Sequence, residues 1–246
     1  MAQRSQRTSA RAQDEAKRQE RAQRILDATA ALILRWGYNK TTIDDVARQA
    51  GVAKGTIYLH WKTREDLFEA LIRRERLALA VDVKQRITDD PAGATLRGMV
   101  KHSALALMQR PLLKAVFLRD IDIIGKLARS QQSSAVYTER LAGFTAYLEF
   151  LREHGLVRTD LSLSAQIYVM SAVFAGFFLI EPLMPDDYRL ADEDLAELLA
   201  ETIHRTLESD RALRSDEVQP VSDAFMQYLN RDMTLAQEQF EQRLKS

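Results

Sequence analysis

An all-α fold is predicted for this 246-residue chain, and three observations predict it. The nine glycines and five prolines are few, and most of them fall at punctuation points. Apolar residues recur at i, i+3, i+4 and i+7 through segment after segment. No stretch alternates with period two over a useful length. With 46% hydrophobic residues the chain can bury a substantial core and hold one or two domains.

The elements follow in order. The first twenty residues, rich in Arg, Gln, Ser and Ala, read as a flexible basic arm (1–20). Ile25, Thr29, Leu32 and Trp36 share one helical face, and Gly37 supplies a stop. Thr42 with Asp45 forms a capping-box pattern. Ile43, Val46, Ala47 and Ala50 then make a helix of about two turns, with Gly51 just past its end. Lys54 to Trp61 is the next short helix, with Ile57 and Trp61 turned inward. Thr63 and Asp66 repeat the capping box and open a longer helix through Leu67, Leu71, Ala78 and Ile87.

Pro91 stands as the first-turn residue of a helix reaching about Met108, and Pro111 starts another through Val116, Phe117, Ile124 and Leu127. Residues 133–154 carry Tyr137, Leu141, Phe144, Leu148 and Leu151. They end with His154 at the negative helix end and Gly155 beyond it. Two further helices cover 164–181 and 191–208. On the last helix, 221–244, Phe225, Leu229, Met233, Ala236, Phe240 and Leu244 form one apolar stripe. That stripe must cover either the chain's own body or a second subunit.

Composition excludes several chemistries. There is no cysteine, so disulfides, thiolate zinc sites and Cys nucleophiles are out. His60, His102, His154 and His204 are scattered, with no i, i+4 pair, and no metal is expected. Ser133 and Ser134 read as helix-start residues; no G-x-S-x-G element or phosphate-cradling glycine motif occurs. Neither an enzyme nor a cofactor is expected. The polar start lacks the apolar core of a signal peptide. The run from Ile167 to Ile180 falls short of the roughly 18 to 20 residues that cross a bilayer. It is expected to be a buried helix of a soluble, cytoplasmic protein without membrane partners. Net charge is zero, yet residues 1–76 hold 16 Lys+Arg against 10 Asp+Glu, a net of +6. A polyanion partner confined to that end fits this asymmetry.

The stretch "DDVARQAGVAKGTIYLHW", Asp44 to Trp61, places two short helices either side of one glycine. That is a helix-turn-helix, whose second helix enters the DNA major groove. Lys54 stands at the helix start, where its charge and the free backbone N–H groups favour phosphate. Gly55 permits close approach. Thr56, Tyr58 and His60 offer hydroxyl, phenol and imidazole, and Thr42 is placed for another phosphate contact.

At these residues "TTIDDVARQAGVAKGTIYLHWKTREDLFEAL" resembles the DNA-binding domain of TetR-family (tetracycline-repressor-like) transcriptional regulators, over about Arg24 to Leu71. Trp61 replaces the usual Phe, and Arg64 stands where the family has Lys. The resemblance implies DNA contacts at Thr42, Lys54, Gly55, Thr56, Tyr58, His60 and Arg64. It implies a helix-turn-helix domain over 21–76 and a helical regulatory and dimerisation domain over 77–246.

It also implies a homodimer through the two penultimate helices. There Ala172, Ala175 and Gly176 form a small-residue face, and Leu195, Leu198, Ile203 and Leu207 a stripe. Packing within one subunit is the alternative for each of these. A small hydrophobic effector is expected among Met108, Phe117, Phe144, Tyr147, Met170, Phe174 and Phe177, with His102, Asp120 and Gln166 supplying polar groups. Plain core is the alternative there. The function so implied is a repressor released from a palindromic double-stranded operator. The rivals are an effector-independent regulator or activator, and an adaptor that binds a protein partner through its last helix.

Overall fold

The computed structural model describes the backbone of residues 2–118 and 135–245. It describes the side chains among them except those of 2–12, 91, 92, 135–140, 232, 233 and 235–245. Asp120, Ile124, Leu127, Ser133 and Ser134 lie outside the described residues. So do the side chains of Tyr137, Met233, Ala236, Phe240 and Leu244. Every α- or 3-10 segment among the described residues is joined by turns and loops, and none of them is a strand. Residues up to Arg74 form one compact unit; those from Glu75 make up most of a second.

In the first unit α1 spans Ala2–Trp36. The segment expected as a flexible basic arm has helical backbone from Ala2 onward, continuous with the rest of α1. The cause is composition: no Gly or Pro occurs before Gly37, and Ala, Arg, Gln, Lys and Glu are strong helix formers. Gly37, with φ 77°, ends the helix and donates its N–H to the Ile33 carbonyl at 2.8 Å. Ile25, Leu26, Thr29, Leu32 and Ile33 are buried, and the Thr29 hydroxyl donates to the Ile25 carbonyl at 2.7 Å. Trp36, expected on that face, is 41% exposed because the helix ends there.

α2 spans Ile43–Ala50, and its capping box is complete: Asp45 N–H donates to the Thr42 hydroxyl, while Thr42 N–H donates to the Asp45 carboxylate. Gly51 takes the left-handed conformation, φ 64°. α3 spans only Lys54–Tyr58, shorter than expected. The N–H groups of His60 and Trp61 both return to the Ile57 carbonyl at 2.9 Å, drawing the chain inward to bury Trp61. The Thr63–Asp66 capping box, with both bonds at 3.0 Å, opens α4, Arg64–Asp89. Leu67, Phe68, Leu71 and Ile72 are buried. Further along α4 the buried positions are Ala80, Val83 and Ile87, and Ala78 is exposed rather than inward.

In the second unit Pro91 opens a 3-10 turn, Pro91–Ala94, and not α5 itself. α5, Leu96–Met108, starts at Thr95, whose hydroxyl accepts from Gly98 N–H at 3.2 Å. A Cβ on Gly98 would come within 2.0 Å of the Gly93 carbonyl oxygen, so the backbones cross too closely for any side chain there. Then follow α6 (Pro111–Phe117), α7 (Ala135–Glu153), α8 (Leu163–Ile180), α9 (Asp192–Leu207) and α10 (Val218–Lys245).

α5 packs along α9, and Arg97 and Lys101 pair with Glu197 and Glu201 across the seam. α10 packs on α7 and the 3-10 turn through buried Val221, Phe225 and Leu229. Its described stripe covers the chain's own body, which removes from those residues the surface a protein-partner adaptor would use.

α8 overturns one expectation. Only Gln166 and Phe178 of its residues are buried, and the apolar segment Leu163–Leu183 is long enough to cross a membrane. Both ends are nevertheless tied to the unit. Gln166 accepts from the Arg152 guanidinium at 2.6 Å and donates to the Arg158 carbonyl, while Lys114 pairs with Glu181.

Candidate nucleic-acid interface

The two capping boxes and the Gly51 turn hold α3 by its one buried residue, Ile57, and leave the rest of the helix accessible. Lys54 opens α3, exposed, with its ammonium 2.8 Å from the Asp44 carboxylate; that hydrogen bond and charge raise its pKa. A Cβ on Gly55 would meet nothing within 4 Å, so the fold itself does not require glycine there. Tyr58 is 45% exposed and Leu59 75%, while Thr56 is half-buried. His60 is half-buried beside Trp61, with ring centres 5.2 Å apart. Its pKa is lowered by burial first and then by the charges of Arg18 and Arg21, which favours the neutral imidazole. Thr42 is exposed at the start of α2, its hydroxyl committed to Asp45 at 2.5 Å.

The fold thus brings Lys54, Gly55, Tyr58 and His60 together around α3. Arg64 departs from the group. Its guanidinium donates to the Tyr38 carbonyl and lies 3.8 Å from the centre of the Tyr38 ring, whose hydroxyl donates to Glu65 at 3.1 Å. It clamps the loop after α1 to the start of α4, a bracing role within the unit that the expected phosphate contact did not include. Arg64→Ala should therefore destabilise the unit by about 2 kcal/mol, from the lost stacking and charged hydrogen bond, and so lower its thermal midpoint. Arg64→Lys should not restore it, since an ammonium cannot reproduce the planar stack. An unchanged melt with a shallower salt dependence of DNA binding would return Arg64 to the phosphate-contact role.

Within the second unit a cavity of about 320 Å³ is walled by α4, α5, α6, α7, α8 and α10. Of the residues expected to bind an effector, Phe117, Phe144, Met170 and Phe174 line it. His102, Met108, Tyr147, Gln166 and Phe177 do not. Tyr147 is buried, donates to the Ala94 carbonyl and packs on Phe225. Gln166 is spent on its two arginine-side bonds, and His102 sits against Gly93.

Arg76, Ser103 and Tyr228 line the cavity and were missed. Arg76 precedes Leu79, Ala80 and Val83 at helical spacing, a signal the assignment of residue 76 to the DNA-binding segment concealed. Among the expected dimer residues, Ala172, Gly176 and Leu198 are exposed and Ala175 and Leu195 half-buried. Ile203 and Leu207 are wholly buried within the unit and are corrected to core.

Residues 25–71 match the family model described as bacterial regulatory proteins, tetR family. That segment of the chain is thus a TetR-family DNA-binding sequence. The chain is 29% identical over 121 residues to the HTH-type transcriptional regulator AcrR of Shigella flexneri, covering 47% of this chain and 56% of that one. The match thus spans about half of that relative's length. The HTH-type transcriptional repressor KstR of Mycolicibacterium smegmatis is 27% identical over 205 residues, covering 80% of this chain and 84% of that protein. The solved structure of the regulator FadR from Bacillus subtilis, in complex with stearoyl-CoA, shares the fold with a TM-score of 0.57 at 19% identity. It covers 74% of this chain and 96% of FadR.

Proposed function

We propose that this chain is a cytoplasmic, homodimeric regulator of the TetR family that represses from a palindromic operator and is released by a small hydrophobic effector. One observation carries the reading: a helix-turn-helix whose first helix is capped by Thr42 and Asp45, with Lys54, Gly55, Tyr58 and His60 accessible on and beside α3. Lys54 serves a phosphate, and Thr42 does so where its hydroxyl proton turns from Asp45 to the DNA; Thr56, Tyr58 and His60 lie nearest the base edges.

The dimer reading draws on the uncovered faces of α8 and α9, where Ala172, Gly176 and Leu198 lie exposed. A second copy accounts for that apolar surface without breaking the Gln166 and Glu181 ties that a membrane-spanning α8 would have to give up. The effector reading draws on the cavity, whose volume falls in the range of small-molecule sites, roughly 300–1,000 Å³. α4 supplies Arg76, Leu79, Ala80 and Val83 to its wall and begins, at Arg64, in the helix-turn-helix unit. A ligand that displaces α4 changes how the dimer presents its two α3 helices. Effector and operator then weaken each other reciprocally.

The test is a gel shift on the chain's own upstream DNA across a salt series, followed by addition of hydrophobic compounds. Binding should fall steeply with salt, and at least one compound should both stabilise the protein and release the DNA. Phe174→Ala should alter that release while leaving operator affinity as it was, because Phe174 lines the cavity against Phe117 at 5.4 Å and lies far along the chain from α3. If no compound stabilises the wild-type protein, an effector-independent regulator replaces the ligand-gated one.

A further inference from the structure

Packing accounts for only part of α1. Among its described side chains burial begins at Ile25, and residues 13–24 are exposed apart from half-buried Ala22. The helix nevertheless continues back to Ala2, about 35 Å further at 1.5 Å per residue. Arg18 and Arg21 lie seven and four residues before Ile25, which places them on the helix face that Ile25 presents to the first unit. Both are exposed, and both stand near enough to His60 for their charges to act on it. In the sequence the same register continues back through Arg11, Arg7 and Arg4, interrupted by Asp14. Residues 2–24 hold seven Lys+Arg against three Asp+Glu, and no Leu, Ile, Val, Phe, Tyr or Trp.

This composition decides between partners. A helix that lies on a membrane needs an apolar face beside its cations, and this segment has none larger than Ala. A solvated face would not need its cations gathered in one register that leads to the reading helix. Arg18 and Arg21, exposed on one face and close enough to His60 to act on it, complement a polyanion that also meets α3. We infer that Arg18 and Arg21 form a second phosphate-binding surface on the operator, continuous with that of α3, along the α1 extension. This rests on the DNA-binding reading above and extends it to residues outside the matched segment 25–71. Because phosphates carry no sequence information, the surface adds affinity on every duplex alike.

The experiment uses the full chain carrying Arg18→Gln and Arg21→Gln together, with Lys54→Gln and wild type alongside. Dissociation constants are measured between 50 and 200 mM salt on the operator and on an unrelated duplex. The double variant should show a slope of log K against log salt shallower by about 1.8, from two phosphates at about 0.9 each. The fold-loss should be the same on both duplexes, and the thermal midpoint unchanged. A double variant with the wild-type slope overturns the inference, and the Lys54→Gln result then tells the two failures apart. If Lys54→Gln still weakens binding, the α3 reading stands alone. If wild type itself binds both duplexes without salt dependence, the DNA reading falls and this inference with it.

Discussion

Gly176→Leu and Leu198→Arg, made separately, are each expected to yield a folded monomer at micromolar concentration, against the dimer proposed for wild type. A Cβ at Gly176 meets nothing within 4 Å in the subunit, so a larger side chain is tolerated by the monomer and obstructs only a partner. Leu198 is 49% exposed, and arginine there can remain solvated in a single chain. Across a two-fold axis each change occurs twice, and an arginine at the seam would be buried without a counter-charge. Loss of the dimer removes bivalent binding to two half-sites about one DNA turn apart. Operator affinity should then fall by roughly two to four orders of magnitude. Light scattering reads the assembly and a gel shift the affinity. Ile203→Ala is the contrast: its side chain is wholly buried, so it should cost stability, about 2–5 kcal/mol, rather than assembly. Variants that remain dimeric with full operator affinity would remove α8 and α9 from the interface.

The contrast between Leu198 and Ile203 shows what spacing leaves undecided. Both belong to one apolar stripe in the sequence, yet Leu199, Ile203 and Leu207 are buried on the side that packs on α5, while Leu198 lies on the opposite side and Leu195 at the edge. Periodicity locates an apolar residue on a helix; which body covers it depends on the packing of other elements. The helix starts at Thr42 and Thr63 were legible because a cap is a local event, a hydroxyl meeting an N–H three residues on. The end of α3 was not, because burial of Trp61 sets it. Gln166 illustrates the same limit in the second unit. A lone polar residue in an apolar run suits a ligand site and a buried brace equally, and only the positions of Arg152 and Arg158 decide for the brace. At α1 composition alone does not settle the conformation, since polar, charged, Ala-rich sequence describes a strong helix former as well as an arm.

Ile57→Ala should abolish operator binding while leaving the second unit folded. Ile57 is the one buried residue of a five-residue α3, at 0% exposure, and its carbonyl also receives the N–H groups of His60 and Trp61. A helix of barely more than one turn has no stability of its own, so the packing of Ile57 and the flanking turns supplies nearly all of it. Truncation to Ala removes the buried side chain and leaves a void, about 2–5 kcal/mol in comparable cores. For a unit of this size each kcal/mol lowers the midpoint by roughly 4–8 °C if it melts separately. With α3 unseated, Lys54, Tyr58 and His60 lose their common geometry, and the loss of affinity should exceed that of Lys54→Ala. Leu59→Ala is the matching control: at 75% exposure it should leave the melt unchanged. Circular dichroism melts and operator titrations on the two variants decide it. An Ile57→Ala protein that melts and binds like wild type would mean that α3 is held by something other than this contact.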